Sequence, residues 1–241
     1  MSVTTFIEPE DIPAIYAHFS SPITKLDCGK KCAPHNEHGI PFCCDTRHAV
    51  PSAYQAEWDY LKDETNLWRR WQADSPAETA RLEAQTPNGQ VLIQCLGHEQ
   101  CQRGFRSLTC RAFPFFPYFT SRKEFIGLSY YWEYEDRCWV ISNLKFVSLE
   151  YRAEFITAYD QIFELMPEEQ ENFQQHSAWM RKEFVRRRRA IPVLHRNGGV
   201  YKISPGNERQ RRVAGETLPT FGVYQVTKAL RFPDEVEEEF A

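Results

Sequence analysis

The chain has 241 residues, 42% of them apolar and 26% charged, with a net charge of -4. That length builds one large domain or two small ones, with a core that needs no covalent staples. The charge balance excludes a general attraction to nucleic acid or to an anionic membrane surface. No apolar run is long enough to span a bilayer. The acidic, proline-broken start from Met1 to Pro13 lacks the basic and apolar regions of a secretory signal, so a cytoplasmic protein is expected.

Glu8 to Phe19 reads as a short helix that ends before Ser20-Ser21-Pro22. Residues 22–50 hold no period of 2 or 3.6 and carry Gly29, Pro34, Gly39 and Pro41 among four cysteines. They predict an irregular loop that something other than an apolar face must fix. From Pro51 the spacing of Tyr54, Trp58, Leu61, Thr65, Trp68 and Trp71 predicts one long amphipathic helix, with Ser52 and Gln55 as a capping box. Pro87-Asn88-Gly89 marks a turn, and Gln90 to Cys95 reads as a strand that delivers Cys95 at its end. Gly97 to Arg111 is again irregular, and Phe125 to Tyr134 is a second strand candidate.

Two helices are expected next. Phe155, Tyr159, Ile162 and Met166 stripe the first, with Ser148 as its N-cap. Phe173, Ser177, Met180 and Phe184 stripe the second, begun by Pro167-Glu168-Glu169. Val193 to Ile203 forms a hairpin about Asn197-Gly198, a strong type I′ turn signal. The tail, Asp234 to Phe240, is acidic and is expected to fray.

Seven of the eight cysteines fall in two loop regions: Cys28, Cys32, Cys43 and Cys44, then Cys95, Cys101 and Cys110. Thiols spent in such numbers point to disulfides or to a soft metal, and the cytoplasmic expectation favours metal. His35, His38, His48 and His98 lie in or beside the same loops, so imidazole could complete a mixed site. The bland reading is inert burial, which suits glycine- and proline-broken loops and a vicinal pair poorly. Cys138 stands apart in an aromatic stretch, and simple core packing is its better reading. No Cys-x-x-Cys knuckle and no ferredoxin run occurs, and His35 stands where a radical S-adenosylmethionine motif needs its third cysteine. Seven thiolates exceed the four of one structural zinc, which tilts the reading toward an iron–sulfur cluster, such as a 4Fe-4S cluster, or a multinuclear site, over a single zinc.

The scheme Cys28, Cys32, Cys43-Cys44, Cys95, Cys101 and Cys110-Arg111-Ala112-Phe113-Pro114 resembles the YkgJ-type cysteine-cluster family, which includes flagellin lysine-N-methylase-like proteins. The resemblance spans about residues 25–120. The gap from Cys32 to Cys43 is longer than the family's compact block, and Ser107-Leu108-Thr109 replaces the Arg-Pro that usually precedes the last cysteine. It implies a bound zinc or iron centre.

Arg181, Lys182 and Arg186 to Arg189 form a basic run at a helix end. A solvated, dipole-complementing turn is its bland reading, and a patch that meets phosphates or an acidic protein partner its sharper one. Trp58, Trp68 and Trp71 read as core. No dinucleotide fingerprint, P-loop or nucleophile-elbow motif is present.

The expectation is therefore an α+β protein with irregular cysteine-rich metal-binding loops, a C-terminal helical pair and a β-hairpin. Residues 1–145 would form the metal-binding region and 146–241 the rest, or the two would be continuous. Its role is metal binding. A cluster-dependent lysine methylase and a metal-stabilised interaction module are the alternatives.

Overall fold

A computed structural model describes residues 7–225, and these form an α+β fold with two antiparallel sheets. The acidic tail lies outside the described residues. The chain enters through a 3-10 turn, Pro9–Asp11, that runs into α1 (Ile12–Ala17), and a single helical turn, α2 (Cys28–Cys32), follows in the first cysteine loop.

The long helix expected from Pro51 is instead three elements: β1 (Ser52–Tyr54), α3 (Gln55–Glu64) and β2 (Trp68–Arg70). Tyr54, not Ser52, stands at the helix N-cap, and the Ser52 hydroxyl donates across the sheet to Gln90 Oε1 at 2.8 Å. The reason is strand pairing. After α4 (Pro76–Gln85), β3 (Gln90–Cys95) runs between β1 and β2 and draws the flanking residues into its ladder. Trp68 is buried by pairing with Cys95, and its indole donates to the Phe105 carbonyl at 2.7 Å. The apolar spacing that mimicked a helix comes from a helix and a strand end to end.

A short helix, α5 (Leu108–Ala112), leads to β4 (Phe115–Phe119) and β5 (Phe125–Tyr130). The second strand stops four residues short of its expected end, because Trp132–Tyr134 turns away as a 3-10 helix. Beyond α6 (Trp139–Ser142) come the two expected helices, α7 (Leu149–Leu165) and α8 (Pro167–Arg186). The Ser148 hydroxyl accepts from the Tyr151 N–H at 3.2 Å, which is the expected N-cap. The hairpin β6 (Ile191–His195) and β7 (Val200–Ile203) closes around Asn197-Gly198, and β8 (Gln210–Arg212) ends the larger sheet.

That sheet has the order β4-β5-β6-β7-β8, so strands from both sides of residue 145 pair directly through β5 and β6. Gly127 makes the crossing possible. Its φ of +148° is one that side chains rarely adopt, and a Cβ there would stand 2.2 Å from the Leu194 carbonyl oxygen. Helices α7 and α8 cover the sheet, burying Phe155, Ile162, Met180 and Phe184 against Phe115, Phe119 and Leu128. Each such side chain contributes roughly 1.5–3 kcal/mol of burial. The cysteine loops have no comparable apolar face; they sit on this framework.

Candidate metal centre

Each cysteine is placed by a local device. Cys28 and Cys32 lie one turn apart on the same side of α2, whose N-cap Asp27 accepts from the Gly29 and Lys30 N–H groups. Cys43 and Cys44 sit on the 3-10 turn Phe42–Cys44, with their sulfurs 4.0 Å apart. Asp45, buried directly behind that turn, braces it. Its carboxylate accepts from Arg47 Nε at 2.7 Å and Nη2 at 3.0 Å, and from Asn36 Nδ2 at 3.1 Å. Burial alone would raise the Asp45 pKa, but these partners hold its carboxyl well below the usual range.

Cys95 ends β3, held there by its pairing with Trp68. Cys101 follows a 3-10 turn at His98–Gln100, and Cys110 lies on α5, whose N-cap Ser107 accepts from the Cys110 N–H at 3.3 Å. All seven of these cysteines line one cavity of about 910 Å³. Two loops far apart in sequence therefore converge on a shared space.

The eighth thiol is there as well. Cys138 packs against the core, as expected, and from the N-cap position of α6 it also lines the same cavity. The tertiary packing of α6 against α2 brings it to the other thiols, and nothing in its local sequence marks this.

The cavity is polar in a specific way. Arg106 Nε donates to Cys101 Sγ at 3.0 Å, and Arg103, Arg137 and Lys30 also line the wall. Burial pushes the thiol of Cys28 up to about 11 and those of Cys110 and Cys138 up to about 12. Burial also raises Cys32 and Cys95. Cys44 moves the other way, because the Cys43 thiol donates to its sulfur and Arg106 adds positive charge nearby. A cation entering this space would have to displace protons from most of its ligands.

Sulfur spacing limits what fits. Four thiolates around one zinc stand about 3.8 Å apart, given Zn–S bonds of about 2.3 Å in a tetrahedron. Among the described residues no three cysteine sulfurs lie within 4.8 Å of one another. The group that does meet that limit is His38, Asp45 and His48. Asp45 is already neutralised there by the Arg47 guanidinium, and His38 Nδ1 lies 3.0 Å from its Oδ2. The His48 ring instead packs edge-on against Phe42 at 5.0 Å. Of the other loop histidines, His98 lines the cavity, while the His35 ring packs edge-on against Tyr224.

The remainder of the Cys-Arg-x-Phe-Pro phrase holds the loops together. Arg111 is buried, with its guanidinium 3.9 Å above the Tyr16 ring. Its Nε donates to the Arg106 carbonyl at 2.8 Å, Nη2 to the Gly104 carbonyl at 2.6 Å and Nη1 to the Phe19 carbonyl at 2.5 Å. It thus clamps the Cys101 loop to the N-terminal helix. Phe113 packs edge-on against Tyr134 at 4.9 Å and closes one side of the cavity with it.

Arg186, Arg187 and Arg188 are exposed at the helix end, as the bland reading expects. Arg189 instead binds the buried Glu135 through Nη1 and Nη2 at 2.8 Å each, and Arg187 reaches the same carboxylate at 3.2 Å. Trp68 and Trp71 are buried, as expected of core residues. No protein-family model, curated protein or solved structure matches this chain.

Proposed function

We propose that this chain is a metal-binding cysteine-cluster protein of the YkgJ type, which holds an iron–sulfur cluster through its thiolates. The observation that carries the reading is the convergence of every cysteine in the chain on one cavity. Inert thiols have no reason to gather from four separate segments, and none of them forms a disulfide. Two features favour a cluster over a single zinc: among the described residues no three cysteine sulfurs lie within 4.8 Å of one another, and the cavity is much larger than one ion. A cluster ligated by four thiolates carries net negative charge, which Arg106, Arg103, Arg137 and Lys30 are positioned to offset.

The test is purification without oxygen, followed by an absorption spectrum and analysis for iron, sulfide and zinc. A broad visible band with iron and sulfide is expected. Colourless protein with stoichiometric zinc overturns the iron–sulfur assignment and keeps metal binding. Folded protein with neither metal overturns the proposal.

A further inference from the structure

A large aromatic side chain, Trp179, stands 60% exposed on the last turns of α8. Its spacing puts it on one helix face with Lys182, Glu183 and Arg186, and with Trp132 they line an open cleft of about 380 Å³. Arg187, Arg188 and Arg189 carry the positive surface past the end of the helix. The carboxylates met by these cations are Glu183 and Glu135, with Glu133 close to Arg187. Five cations, Lys182 and Arg186 to Arg189, thus face three acids and leave the surface positive. Arg186, Arg187 and Arg189 take part in the ion pairs among the described residues, whereas Lys182 and Arg188 do not. An exposed tryptophan beside unbalanced positive charge suits an acidic segment that carries an aromatic residue.

The described part of the chain ends beside this surface. The Phe221 ring lies 4.7 Å from the Arg189 guanidinium, and Tyr224 OH donates to the Arg137 carbonyl at 3.0 Å. Beyond Gln225, residues 226–233 lead to Asp234, Glu235, Glu237, Glu238 and Glu239, followed by Phe240. Those linking residues can span up to about 26–29 Å, whereas Trp179 and Arg186 lie only about 10 Å apart along the helix axis.

We propose that the basic end of α8 is the docking site of the chain's own acidic segment, Asp234 to Phe240, with its carboxylates on Lys182, Arg186 and Arg188 and Phe240 in the Trp132–Trp179 cleft. Being part of the same chain holds that segment near its site at roughly millimolar effective concentration, so individually weak surface ion pairs suffice. This docking is independent of the metal reading.

The experiment treats the full-length chain with a water-soluble carbodiimide, which condenses a lysine amine with a carboxylate touching it and takes up the water released. Peptide mass spectrometry then locates the new amides in the monomeric product. Lys182 is expected to be joined to Glu235, Glu237, Glu238 or Glu239, with a yield that falls about fivefold in about 1 M salt. Arg188→Glu and Phe240→Ala keep the lysine and the acids, and either should lower that yield by about fivefold. Tail acids joined equally to Lys62 and Lys123, exposed elsewhere on the surface, overturn the proposal, as does Lys182 with no tail partner. A link found only in covalent dimers also overturns it and makes the surface an interface between copies. A yield indifferent to salt and to both substitutions overturns the charge and aromatic contacts on which it rests. The salt series on the unsubstituted chain decides even where a variant fails to fold.

Discussion

Arg106 donates from Nε to the Cys101 sulfur at 3.0 Å, a charge-assisted bond between a half-buried cation and a thiol at the cavity wall. The contact places a fixed positive charge beside one of the sulfurs proposed as a metal ligand.

Arg106→Gln removes that charge while keeping much of the side chain's length. Metal affinity should fall about 10- to 100-fold, the usual cost of losing an outer partner of a ligand. Competition with a chromophoric chelator reads this directly. An unchanged affinity with lowered thermal stability would make Arg106 a packing residue only.

Arg111→Lys tests the clamp. A lysine cannot serve the Phe19, Gly104 and Arg106 carbonyls together, nor stack as a plane on Tyr16. The expected loss is about 2–3 kcal/mol, read as a lower urea midpoint with an unchanged slope. A variant as stable as the parent would show that the loops are held by other contacts.

The buried Glu57 and the half-buried His176 set opposing pH dependences. Burial raises the Glu57 carboxyl from 4.5 to about 7, although Tyr16 OH donates to it at 2.7 Å and the Leu108 N–H at 2.5 Å. The folded chain therefore holds this proton more tightly than the unfolded one, and stability falls as pH rises from 4.5 to about 7, by about 3 kcal/mol in total. Glu57→Gln removes that decline and keeps an acceptor for both donors.

His176 acts in the other direction. Burial among Phe116, Tyr131 and Trp132 lowers its pKa from 6.5 to about 4, so stability falls as pH drops through that window. His176→Phe keeps the ring packing and should remove this acid sensitivity. Urea midpoints of each variant and the parent, compared at the same pH between 4.5 and 7, should diverge in opposite directions. Parallel profiles would refute both assignments.

Metal removal should loosen one half of the molecule selectively. Residues 22–50 and 96–107 rest on caps, the Asp45 brace and the Arg111 clamp, whereas α7, α8 and the larger sheet share a continuous aromatic core. Stripping metal should speed amide exchange in those two segments and leave 115–130 and 149–203 protected. Uniform protection in the stripped protein would show that the loops are preformed without metal.

Local chemistry made several of these features legible in the sequence alone. Ser148 caps α7, Pro167 begins α8, and Asn197-Gly198 turns the hairpin, because each acts on its own few residues. The cysteine loops were legible for a similar reason, since no period organises residues 22–50. Pairing across the sheet was not. Trp68 and Trp71 matched a helical spacing, and only β3 lying beside them made Trp68 part of a strand.

What the sequence determined by itself was the setting of seven thiols in two loop regions that cannot bury enough apolar surface to fix themselves. What only the tertiary structure decided was which thiols meet at one cavity. Cys138 reaches the cavity because α6 packs on α2, and Arg111 reaches three separate carbonyls because the N-terminal helix lies over the Cys101 loop. Contacts between segments so distant in the chain arise from packing, and packing leaves no short-range pattern to read.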